Sequence, residues 1–106
     1  MAKYLVIGSY TVEGLRELAA HGASARIEAS QKLVAEAGGS IESFYYALGS
    51  DDAFIVLDLP DNVAAAATAI AAGASGVVVS HMVPLLTAGE IDQATSKNLR
   101  MAAPGR

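Results

Sequence analysis

Apolar positions along this chain fall into four short β-rich runs and intervening stretches of helical periodicity. Lys3 to Tyr10, KYLVIGSY, joins β-branched and aromatic residues and predicts a first strand, with Leu5 and Ile7 toward the core and Tyr4, Val6, Gly8 and Tyr10 on the other side. Thr11 is placed to cap a short helix carrying Leu15 and Leu18, which His21-Gly22 interrupts. Ser24 offers a second cap, and Ala25 to Ala37 continues as helix, burying Ile27, Val34 and Ala37 before Gly38-Gly39 stops it. The stretch Ile41 to Leu59, IESFYYALGSDDAFIVLDL, predicts two strands folded across Gly49 to Asp52. A two-residue turn at Ser50-Asp51 sets Leu48 opposite Ala53, Tyr46 opposite Ile55 and Phe44 opposite Leu57, all on one apolar face. The reverse face then carries Ser43, Tyr45, Ala47, Phe54, Val56 and Asp58. Pro60-Asp61-Asn62 open a further helix of thin, alanine-rich character that ends near Gly73 and Gly76. Val77 to Leu86 reads as the fourth strand, and Thr87 with Glu90 has the spacing of a capping box for a short last helix.

The order strand, helix, strand, strand, helix, strand is the βαββαβ pattern of an α+β, ferredoxin-like sandwich. Its four-stranded antiparallel sheet has helices on one face and leaves the other bare. Residues 1–96 form this one domain and 97–106 a flexible tail. The bare face is expected to hold Tyr4, Tyr10, Tyr45, Phe54, Val56, Val77 and Val79, too apolar to stay in water. With 53% hydrophobic residues over the whole chain, pairing with a second copy follows, as a homodimer or an assembly of dimers. Seven basic residues against eleven acidic ones, with no basic cluster, argue against nucleic acid and membrane surfaces as partners. The chain lacks cysteine, which removes disulfides, thiol nucleophiles and thiolate metal sites. Tyr4 to Ile7 is too short an apolar run for a signal peptide or a span, so the expected location is cytoplasmic.

Four segments carry a family likeness: YLVIGSYT, EGLREL, AGGSIESFYYALGSDDAFIVLDLPD and AAAATAIAAGASGVVVSHMV. Over about residues 3 to 92 the chain resembles the GYD-domain proteins, small ferredoxin-like proteins of the dimeric α/β-barrel group. The family's name motif, Gly-x-Tyr-Asp, falls on Gly49, Ser50, Asp51 and Asp52, so Asp51 stands where the motif has tyrosine. Any role of that tyrosine is lost or moved here. The resemblance implies a fold and an assembly rather than a reaction. The wider group includes cofactor-independent monooxygenases, lactone isomerases and haem enzymes, an analogy at the level of fold alone.

Among candidate functional residues His81 stands first, an imidazole in an otherwise apolar strand. One reading makes it a general base, or a metal or haem ligand, oriented by Asp58 or by a tyrosine hydroxyl of Tyr10 or Tyr45; the other makes it a hydrogen-bonded interface histidine. Asp58, a carboxylate on a mostly apolar face, needs a cation or hydroxyl partner unless it reaches water at the strand end. Tyr10, Tyr45, Phe54, Val56, Val79 and His81 are the expected ligand-binding set, since tyrosine lines pockets with an apolar body and a polar tip. Asp51 and Asp52 are better explained by turn chemistry than by a metal, and His21 by its place at a helix C-terminus. No metal and no cofactor are expected. The primary expectation is a small-ligand-binding, self-associating domain, with a ligand between sheets or under the helices. The alternatives are a cofactor-independent monooxygenase- or isomerase-like enzyme with His81 as base and Tyr45 and Asp58 beside it, and a purely structural subunit.

Overall fold

The protein is described from a computed structural model covering residues 1–105. Four strands, β1 (Ala2–Tyr10), β2 (Ser40–Tyr46), β3 (Ala53–Leu59) and β4 (Val78–Leu85), form one antiparallel sheet in the order β2-β3-β1-β4. Helices α1 (Val12–His21), α2 (Ala23–Glu36) and α3 (Asn62–Ala74) supply the connections, and α4 (Ala88–Ser96) follows the last strand. This is the α+β, ferredoxin-like arrangement.

Local signals set the element boundaries. The Thr11 hydroxyl accepts the Gly14 N–H to start α1, and the Asp61 carboxylate accepts the Ala64 N–H to start α3. Thr87 and Glu90 close a full capping box on α4. Gly22, at φ 86°, breaks α1 from α2 because L side chains rarely adopt that backbone. It also takes the cap position of α2 without a side-chain bond, in place of the expected Ser24. Gly14 lets α1 lie against the start of β4, where a Cβ would collide with the Val77 carbonyl; that close approach buries Val77.

The core joins β1, β3, α2 and α3 through Tyr4, Val6, Leu57, Leu59, Val34 and Ala65. This reverses the expected facing of β1. Tyr4 (3% exposed), Val6 and Gly8 lie under the helices, while Leu5 and Ile7 face outward. The cause is pairing with β3. Tyr4 sits opposite Leu57, Val6 opposite Ile55 and Gly8 opposite Ala53, and the Tyr4 hydroxyl donates to Asn62 Oδ1 at 2.6 Å. Tyr4 and Tyr10 therefore leave the set expected on the bare face, and Val77, buried where α1 approaches at Gly14, leaves it too.

The β2–β3 register also differs from the two-residue turn. Tyr46 opposes Ala53, Phe44 opposes Ile55 and Ile41 opposes Leu57, with a bulge between Ile41 and Ser43. The intervening loop runs through residues 47–52 and leaves Leu48 fully exposed, at 106%. Asp52 holds this wider loop: its N–H donates to the Gly8 carbonyl, and its carboxylate accepts the Tyr10 N–H, both at 2.8 Å. Because the slip is two residues, Tyr46, Phe44, Ile55 and Ala53 keep their expected face.

Helix α4 buries no residue, and the molecule reaches 61 Å in its longest dimension. Beyond Lys97 no regular element follows through Gly105, and Arg106, the end of the expected tail, lies outside the described residues. No helix among the described residues is long and apolar enough to cross a membrane.

Candidate functional site

Small side chains from three strands meet in one transverse row. Ser80 of β4, Gly8 of β1 and Ala53 of β3 are neighbours by register, and all three point to the helix side. Above them the facing surface of α3 is alanine and threonine, so neither layer fills the space between. The result is a cavity of about 240 Å³ between the sheet, α2 and α3. On Gly8 a Cβ would already press within 3.3 Å of Val78 Cγ2, which keeps this part of the floor low.

The lining is polarised along the strands. Toward the start of β1 it is apolar, with Val6, Val34, Ile41, Leu57 and Met82. Toward the end of β1 it carries Tyr10, Arg26 and Ser75, with Val78 opposite Tyr10, and Ser80 sits in the middle row beside Gly8. Most of the hydroxyls are engaged by their own helices: Thr68 donates to the Ala64 carbonyl at 2.8 Å, Ser30 to the Arg26 carbonyl at 3.0 Å, and Ser75 to the Ala72 carbonyl at 2.6 Å. Arg26, half-buried in the first turn of α2, is the one charged side chain on the lining among the described residues. The Tyr10 ring lies 6.4 Å from that of Tyr46, which in turn stacks at a tilt 5.1 Å from Phe44. Burial pushes the Tyr10 phenol well above its ordinary pKa, the neighbouring Tyr46 hydroxyl adds to this, and the Arg26 charge opposes it.

The opposite, open face carries most of the residues expected to form a site. His81, Ile7, Phe54 and Tyr45 make a single transverse row, one residue from each strand. Val83, Leu5, Val56 and Ser43 make the next. Tyr45 is 71% exposed and Val79 67%. His81 and Tyr45 stand on opposite edge strands, three strand spacings or about 14 Å apart. Asp58 is two strands from His81 and displaced along the sheet, where Lys3 Nζ donates to it at 2.9 Å and to Glu42 at 3.4 Å. Lys3 is thus the partner Asp58 required. Tyr10 lies on the other side of the sheet altogether. Within one copy, then, His81, Tyr45 and Asp58 are not brought together, and of the expected ligand-binding set only Tyr10 reaches the cavity.

The family profile described as GYD domain matches residues 4–95. The chain belongs to the GYD-domain family. No curated protein and no solved structure matches it. In this GYD domain Asp51 and Asp52 both serve the loop. Ser9 Oγ donates to Asp51 Oδ1 at 3.3 Å, and Asp52 bridges to Gly8 and Tyr10 as described above. No group of three or more histidine, cysteine, aspartate or glutamate side chains among the described residues is placed to hold a metal.

Sequence reasoning missed Arg26, which reads as one more polar residue on a solvated helix face. The signal that existed was indirect. Gly8, Ala53 and Ser80 are small residues inside three strands, but only the register shows that they adjoin.

Proposed function

We propose that this GYD domain is a self-associating module that binds a small, partly apolar ligand under its helices, in the cavity floored by Gly8, Ala53 and Ser80. The single observation that carries this reading is that cavity: about 240 Å³, mostly apolar, with Tyr10 and its one charged residue, Arg26, at one end. It falls just below the roughly 300 Å³ at which sites for drug-sized ligands begin, so the occupant is a small metabolite-sized molecule. The open face supports the self-association, since its central rows of Ile7, Phe54, Leu5 and Val56 are the kind of contiguous apolar surface that associates in water. Helix-side binding leaves that face free for a second copy, so the two properties do not compete.

Native mass spectrometry of the purified protein reads the copy number and the mass of any retained small molecule together. Octanol serves as a neutral apolar probe in calorimetry. Ala72→Phe fills the cavity from α3, and the expected result is loss of octanol binding with an unchanged far-ultraviolet spectrum. Octanol binding that survives Ala72→Phe overturns this location for the ligand.

A further inference from the structure

We infer that the ligand of this cavity is an anion, a small carboxylate with an apolar tail, and that Arg26 is the residue that selects its charged end. The inference rests on the cavity reading above and deepens it.

Its first support is the polarity of the cavity. A ligand lying along β1 meets hydrocarbon from Val6, Val34, Ile41, Leu57 and Met82 at one end and Tyr10 and Arg26 at the other, with Ser80 between. A molecule with two polar ends would bury one of them without a partner, and a wholly apolar one would leave the guanidinium facing hydrocarbon. An amphipathic molecule with one polar group satisfies both ends.

The second support is the charge state of that polar end. Ion pairs among the described residues join Lys3 to Glu42 and Asp58, and Lys32 to Glu28; none engages Arg26. Arg26 also borders a second recess between α1 and α2, which it shares with Glu17 and His21. Glu17 makes no ion pair with Arg26 there. A half-buried guanidinium with no carboxylate within 4 Å favours an incoming one, and its fork geometry suits two parallel hydrogen bonds to a carboxylate. The Tyr10 phenol lies beside Arg26, next to the Tyr46 hydroxyl, and adds a polar group to this end. The Ser30, Thr68 and Ser75 hydroxyls donate to helix carbonyls and Tyr10 neighbours Tyr46, which leaves Arg26 as the charged group available to a ligand, with Ser80 on the floor.

The apolar end sets a length limit. Strand residues advance about 3.3 Å each, so from Tyr10 to Val6 the cavity floor runs about 13 Å, which accommodates a straight chain of about eight carbons. Chains much longer than this would have to displace the Leu57 and Val34 side chains, which are buried in the core.

Paired calorimetric titrations with octanoate and octanol at neutral pH test the inference. The full-length protein is expected to bind octanoate about tenfold to a hundredfold more tightly than octanol, the range for a hydrogen bond to a charged group. Arg26→Gln is expected to abolish that preference while still binding octanol measurably, and an unchanged far-ultraviolet spectrum and unfolding midpoint show that the variant is folded. Arg26→Lys, which keeps the charge but not the fork, should retain part of the preference. Equal affinity of the wild type for the two probes, or a preference that persists in Arg26→Gln, overturns the anionic class while octanol binding still upholds the cavity. If the wild type binds neither probe, the cavity reading falls and this inference with it.

Discussion

The two faces of this sheet dispose of their polar groups in opposite ways. Under the helices, hydroxyls turn inward on their own helices or, like that of Tyr4, onto a neighbouring side chain; one cation, Arg26, is left beside the cavity. On the open face, charge is neutralised in place by the Lys3, Asp58 and Glu42 cluster at one end, and the centre is hydrocarbon from Leu5, Ile7, Phe54 and Val56. One face is closed by its own chain yet not filled; the other is filled with side chains yet not closed. The difference shows that burial and packing are separate achievements. A layer of alanine-rich helix covers a sheet face without occupying all the volume beneath it, whereas a dense apolar surface can remain uncovered.

The comparison breaks most visibly at Leu59, the one large side chain with no exposure at all. Leu59→Ala is expected to cost about 3 kcal/mol in chemical denaturation, within the usual 2–5 kcal/mol for such truncations, because the helix-covered core around it does not collapse freely. A change on the open face should act differently. Phe54→Asp puts a carboxylate into the middle of the exposed row and is expected to leave the stability of the single copy within about 1 kcal/mol. Under the proposed self-association it should shift the protein to one copy in sedimentation at concentrations where the wild type is associated. An unaltered sedimentation profile would remove this face as the contact.

Smaller effects sharpen the contrast between the packed body and α4. Thr87→Ala removes the hydroxyl half of the capping box, keeps the backbone N–H bond to Glu90, and should cost about 1 kcal/mol of local helix stability, read as faster amide exchange over residues 88–96 with no change in the global unfolding midpoint. The same helix has a pH signature. Hydrogen bonds from the Thr87 N–H and hydroxyl hold the Glu90 carboxyl below its ordinary value of 4.5. Its contribution is present above 4.5 and fades as the pH falls through the lowered folded value, so α4 should loosen in acid before the core does. The least of these effects concerns Tyr10. Since burial raises its pKa, the folded state favours the neutral phenol; stability is kept below about 10.0, the value in the unfolded chain, and declines as the pH rises above it. A late step in the alkaline tyrosinate absorbance, absent from Tyr10→Phe, is the expected result.

Part of the candidate site was legible in the residues. Tyr10 was marked by its chemistry, and the open-face positions Tyr45, Phe54, Val56, Val79 and His81 do share one face of the sheet as their alternation implied. What did not follow was their grouping. His81 and Asp58 are close in an argument about faces, but register sets them on β4 and β3 with β1 between. Lys3 was silent in the sequence because its partner, Asp58, lies across a strand pair rather than at a helical or hairpin spacing. Arg26 was silent because nothing in ASARIEAS distinguishes a cation aimed at a cavity from one aimed at water.

The sequence by itself determined the order and ends of the elements: Thr11, Asp61 and Thr87 as caps, Gly22 and Gly38 as breaks, and alternating apolar positions in β3. Such signals act through hydrogen bonds and backbone angles within a few residues, so they are written where they are read. Tertiary structure alone decided which face of β1 is buried, because both phases of KYLVIGSY are apolar and either is compatible with a core. It also decided that Ser80, Gly8 and Ala53 would meet. An empty volume belongs to no residue; it arises only when pairing between distant strands sets small side chains together under a helix too thin to fill the gap.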